Sequence, residues 1–168
     1  MVESTDSTEV GARLSADQVW RALDTTANAV LGHVTPKGAP RTSGVVYAVV
    51  DHQLYIAVAP DSWKARQIAT GDQVSVTALV RRGGVLSLIF PIPPATITFQ
   101  GRATVHPAGS PEVGPLLDRL AALLPPDRRD SACLIGVAPV GHFLTYGIGV
   151  PLMAMRRPQA ARARVPVA

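Results

Sequence analysis

The stretch Asp61-Ser62-Trp63-Lys64-Ala65-Arg66-Gln67-Ile68 decides how this chain is read. Two short apolar runs precede it, Gly44 to Val50 and Leu54 to Val58, and a third follows from Val74 to Val80. Each reads as a strand bounded by turn residues. Ser62 is a good N-cap, its hydroxyl able to accept from an early helical N–H. Ala65, Ile68 and Ala69 give the short helix an apolar side, and Gly71 stops it. Lys64 in the first turn and Arg66 behind it face the positive end of the helix dipole, which costs roughly a few tenths of a kcal/mol. An anion held between the N–H groups and the lysine removes that cost. The alternative is that both cations point into water and Asp61 answers the dipole. The first reading suggests a phosphate, and a phosphate suggests a cofactor.

Outward from this centre, Ser15-x-x-Gln18 is a capping box ahead of an amphipathic helix carrying Val19, Ala22, Leu23, Thr26 and Val30. Strands are expected near residues 29–35, 41–50, 54–58, 74–80 and 96–105, the last with Thr96, Thr98 and Gln100 alternating against Ile97 and Phe99. Ser110-Pro111 opens a further helix with Val113, Leu116, Leu117, Leu120 and Leu124 on one face, ended by Pro125-Pro126. A last strand or pair covers 132–148, interrupted at Pro139 and Gly141. Short strands with one or two helices and no βαβ alternation argue for a small antiparallel barrel.

Between these elements, the run Gly83 to Pro94 is apolar throughout and carries three prolines. It is too short and broken to span a membrane, and Pro93-Pro94 cannot continue a central ladder. It reads either as a connection buried in a subunit interface or as an apolar wall over a cofactor ring.

Composition fits one globular domain. Of 168 residues, 47% are hydrophobic and 17% charged, so a disordered chain is excluded. The net charge of +4 raises nucleic acid as a partner. Much of the surplus, however, sits at Arg156, Arg157, Arg162 and Arg164, with no aromatics interleaved. Residues 156–168 therefore read as a solvated basic tail after a domain spanning 14–155, and nucleic acid is not the expected partner. Cys133 is alone in an apolar run, without disulfide or metal spacing, and reads as a buried inert thiol. The histidines at 33, 52, 106 and 142 form no metal-ligand pattern. Residues 1–13 are polar and acidic without the apolar core of a signal peptide, so a disordered tail and a cytoplasmic location are expected.

The succession Leu31-Gly32-His33-Val34-Thr35-Pro36-Lys37-Gly38-Ala39-Pro40-Arg41-Thr42-Ser43-Gly44-Val45-Val46-Tyr47, a hairpin, Ser62-Trp63-Lys64-Ala65-Arg66, then Asp72-Gln73-Val74-Ser75-Val76 resembles the split β-barrel flavin-binding superfamily. That superfamily includes the pyridoxamine 5'-phosphate oxidase-like proteins and the flavin/deazaflavin oxidoreductases. The resemblance is clear over residues 20–80 and looser from 95 to 105. It implies a mainly β (α+β) fold, a six-stranded antiparallel split β-barrel with flanking helices, working as a homodimer. It also implies FMN, or alternatively the deazaflavin coenzyme F420, at the dimer interface, transferring hydride to or from a small apolar or aromatic substrate.

Carried over by position, Ser62 and Lys64 would hold the phosphate, with Arg41, Thr42 and Ser43 on the strand beside it. Val45 and Val58 would line the ring or ribityl chain, and Thr96 would meet the ring from the partner. Gly44 stands where the deazaflavin branch has Pro, and Trp63 where Arg is common. Trp63 could stack on a ring or anchor the core. No general acid is evident; Tyr47, His142 and Tyr146 read as structural strand residues. The Trp-Arg strand of true pyridoxamine phosphate oxidases is missing, since the chain continues instead as Gly147-Ile148-Gly149-Val150-Pro151-Leu152-Met153. A non-catalytic module holding haem or another apolar ligand is the competing expectation.

Overall fold

Ser15 starts the described structure as the sequence anticipates. Its hydroxyl accepts from the Gln18 N–H, the Gln18 side chain accepts from the Ser15 N–H, and helix α1 runs Ala16–Asp24. The computed structural model describes residues 14–82, 84, 92–129 and 131–167. The expected N-terminal tail and most of the apolar run at 83–94 lie outside these residues.

Alternating burial then lays down the strands β1 (Asn28–Val34), β2 (Pro40–Val50) and β3 (Gln53–Val58), the helix α2 (Trp63–Ile68), and the strands β4 (Gln73–Val80) and β5 (Ala95–His106). Helices α3 (Val113–Leu120) and α4 (Pro126–Arg129) precede β6 (Cys133–Tyr146). A 3-10 turn at Leu152–Arg156 and helix α5 (Pro158–Ala161) lead to β7 (Arg162–Pro166). All pairings are antiparallel. The order β3-β2-β1-β4-β5-β6 closes on itself through β3–β6, giving a six-stranded barrel, with β7 added to β6. The mainly β split barrel expected from the sequence is the observed fold.

Inward-facing residues fill this barrel, among them Leu31, Tyr47, Ile56, Val76, Ile97, Phe99, Ile135 and Phe143, each almost wholly buried. The tight β2–β3 hairpin puts Asp51 and His52 at φ 48° and 59°, a left-handed pair that costs conformational energy without glycine. The His52 ring stacks on Trp20 with centroids 5.0 Å apart, and Trp20 meets the edge of Phe143. The turn is thereby tied to α1 and the core.

Two findings differ from the sequence reading. Residues 133–146 form one strand, because Pro139 and Gly141 produce a bulge and not a break. Thr98 pairs Leu144 and Gln100 pairs Val140, so β6 carries two extra residues around Gly141 at φ 74°. The first half of β6 pairs β3 and the second half pairs β7. The second difference is β7 itself. Residues 162–166, expected within a solvated tail, join the sheet because Ala161, Ala163, Val165 and Val167 alternate with the arginines and turn toward the core. Val165 is 3% exposed.

Candidate functional site

Alternation along β2 and β3 turns Val45, Ile56 and Val58 inward, and the chain leaves β3 through Ala59 and Pro60 to reach Ser62. The Ser62 hydroxyl accepts from the Lys64 N–H at 3.2 Å, capping α2 and leaving its own proton free for a ligand. Ala65 and Ile68 bury the other side of α2 against the barrel. This places Trp63 and Lys64 at the mouth of a cavity of about 690 Å³. Its walls are Val45, Val58 and their neighbours on β2 and β3, and, from the far end of the chain, Leu123, Leu124, Pro125 and Arg128. That volume is within the ordinary range for ligand sites.

Five of the nine sequence-predicted residues therefore meet in one cavity: Val45, Val58, Ser62, Trp63 and Lys64. Arg41 and Thr42 line a second cleft of about 390 Å³, with His33, Ser75 and Gln100. Arg41 still reaches the first site, because its guanidinium lies over the Trp63 ring at 5.7 Å from the centroid. The Lys64 ammonium lies 5.9 Å from the same centroid. His33 packs against the indole at 5.5 Å, and its Nε2–H donates to Gln67 Oε1 at 2.8 Å, fixing the ring from behind. Ser43 is half-buried on β2, its hydroxyl without a hydrogen-bond partner. Thr96 sits apart, in a groove on the outer sheet face with Thr98, Tyr146, Arg162 and Arg164.

Electrostatically the cavity is one-sided. Among the described residues, its charged lining residues are Lys64 and Arg128. Ion pairs among the described residues are Arg102–Asp72 and His106–Glu112, and neither involves Lys64, Arg128 or Arg41. An apolar body with unpaired cations at its edge suits a flat ligand carrying phosphate or carboxylate. Arg128 and the leucine wall were not legible beforehand; they lie some 60 residues beyond Lys64, and only the fold brings them to it.

The three residues considered as acids have structural duties. Tyr47 donates to Leu23 O at 2.9 Å, and burial, helped by the Asp24 carboxylate, pushes its phenol well above the usual range. Tyr146 donates to Met155 O, and His142 lies on the outer face beside Arg164. Cys133 is buried and free. No group of residues able to hold a metal ion occurs among the described residues, and no described helix is long and apolar enough to cross a membrane.

No protein-family description and no curated protein matches the sequence. Solved structures do match in shape. The haem storage protein HutZ from Vibrio cholerae is similar with a TM-score of 0.64 and 15% identity, over 82% of this chain and 97% of that one. An F420 reductase is similar with a TM-score of 0.53 and 21% identity, over 73% and 93%. A candidate pyridoxamine 5'-phosphate oxidase from Listeria innocua gives 0.54 and 16%, over 74% and 92%. At such identities the likeness carries the fold: this chain is a split β-barrel of the kind found in pyridoxamine 5'-phosphate oxidase-like, deazaflavin-reductase and haem-storage proteins alike.

Proposed function

We propose that this protein binds FMN or the deazaflavin coenzyme F420 in the cavity at the head of α2 and acts as an oxidoreductase on a small apolar or aromatic substrate. The observation that carries the reading is Lys64, with no ion-pair partner among the described residues, beside the free Ser62 proton at the rim of a cavity walled mainly by aliphatic side chains. Lys64 and Ser62 hold the phosphate, Arg41 adds a cation over Trp63, and Val45, Val58 and Ile56 exclude water from the ring. When bound, such a cofactor supplies hydride transfer, and the protein supplies position and electrostatics.

A second copy of the chain completes the proposal. Val30, Val46, Leu79, Val140 and Leu144 are exposed on the outer face of the barrel, among threonines and without a carboxylate on that face among the described residues. A homodimer covers these residues and brings Thr96 to an interface.

Haem is the competing ligand, and the cavity argues against it. Haem iron takes His, Cys, Met or Tyr as its protein ligand, and none of the described lining residues is one of these. Titrating the purified full chain separately with FMN, F420 and haemin, followed by visible absorption, tests the proposal. The expected result is binding of a flavin-type cofactor that weakens at least tenfold in Lys64→Ala, about 1.4 kcal/mol. Equal affinity in that variant overturns the phosphate role of Lys64. Binding of haemin alone overturns the oxidoreductase reading.

A further inference from the structure

The cavity's second cation lies on a segment the flavin reading does not use. Helix α3 is built on a small core in which Val113, Leu120 and Leu134 pack with Leu116, Leu117 and Leu124. Two consecutive arginines follow, and they are used differently. Arg129 folds back, its Nη2 donating to Ala121 O at 2.5 Å, and ties α4 to the preceding turn. Arg128 is exposed and lines the cavity, with Ser131 three residues on. It has no ion-pair partner among the described residues. The wall is therefore fixed by leucines and by Arg129, while Arg128 is left as a planar donor facing the ligand space. Guanidinium groups match carboxylate and phosphate oxygens in pairs.

We infer that the cavity selects ligands with two anionic groups on an apolar body, the first held by Ser62 and Lys64 and the second by Arg128. The inference rests on the proposed function for the first group only. FMN ends in one phosphate and engages one pole. Coenzyme F420 carries a phosphodiester with carboxylates beyond it and engages both, so Arg128 makes the site discriminate between them.

The test compares wild type, Lys64→Gln and Arg128→Gln by fluorescence titration with riboflavin, FMN and F420. Arg128→Gln is expected to weaken F420 at least tenfold, leave FMN and riboflavin within twofold, and keep the melting temperature. Equal losses for FMN and F420 would put both cations on one phosphate and overturn the inference, as would no loss for either. If wild type binds none of the three, the flavin reading fails, and the inference is still read with the dianionic probe bis-ANS against the monoanionic ANS. Preferential loss of bis-ANS in Arg128→Gln, at least fivefold, supports the two-pole site; parallel or absent loss overturns it.

Discussion

Val165→Ala tests whether the C-terminal strand belongs to the fold. Val165 is 3% exposed on β7, pairs with Phe143 in register, and joins the main core. The substitution removes two methyl groups, about 1.6 kcal/mol of transfer free energy at roughly 0.8 per carbon, and leaves a small cavity that brings the loss to about 2 kcal/mol. For a domain of this size each kcal/mol moves the melting temperature by about 2–4 °C, so a fall of about 4–8 °C is expected. Arg164→Ala, on the same strand but facing outward, is the control and should stay within about 0.5 kcal/mol. Melting followed by circular dichroism at one fixed protein concentration reads both, since association also shifts the midpoint. A Val165→Ala midpoint no lower than that of Arg164→Ala would refute the assignment of β7 to the core and restore the solvated tail.

Three further substitutions probe the barrel. Tyr47→Phe deletes the hydrogen bond to Leu23 O and should cost about 1 kcal/mol in urea unfolding at neutral pH. Because the fold raises the Tyr47 pKa, its contribution is complete below the unfolded value near 10 and is lost as pH climbs above it toward the folded value. Tyr47→Phe should therefore destabilise the protein less at alkaline pH than at neutral pH; an equal penalty at both would refute the ionisation effect. Glycines at two strand positions should respond unequally to alanine. A Cβ at Gly101 would lie 2.7 Å from Val137 Cγ1 and 2.9 Å from the Ala138 carbonyl oxygen, so Gly101→Ala must shift backbone and should cost about 1–3 kcal/mol. At Gly32 the close atom, at 2.6 Å, is the Ser75 hydroxyl, which can rotate away, so Gly32→Ala should cost less in the same unfolding assay.

Local patterns carried most of the architecture. The capping box at Ser15, the Ser62 cap and the alternation of Thr96 to Gln100 each fix an element from neighbours within four residues, and each is observed. The failures share a cause. Gly141 and Pro139 look like a strand break locally, yet β6 continues because β5 and β7 hold it on either side of the bulge. Arg162 and Arg164 look like part of a basic tail, and only the burial of Val165 and Ala161 against the barrel reveals a strand. The cavity divides in the same way. Ser62 and Lys64 announce themselves by spacing, whereas Leu123, Leu124 and Arg128 are brought to them by the packing of α3 on β2 and β3, a long-range contact with no local sequence signal.

Trp63 gains a meaning in the fold that its position in the sequence withheld. An indole at position 63, where the resemblance implies arginine, leaves the proposed phosphate cradle one cation short, a change worth about 1.5–3 kcal/mol for a charged hydrogen bond. Another cation stands beside it. Arg41, from β2, sets its guanidinium over the indole face at 5.7 Å, while Lys64 approaches the same ring at 5.9 Å. Both cations lie within reach of the ring quadrupole, whose negative face attracts positive charge. His33, pinned by Gln67, keeps the ring from turning away. Under the proposed function, Arg41 from another strand would supply part of that charge, with Trp63 as the surface on which it rests.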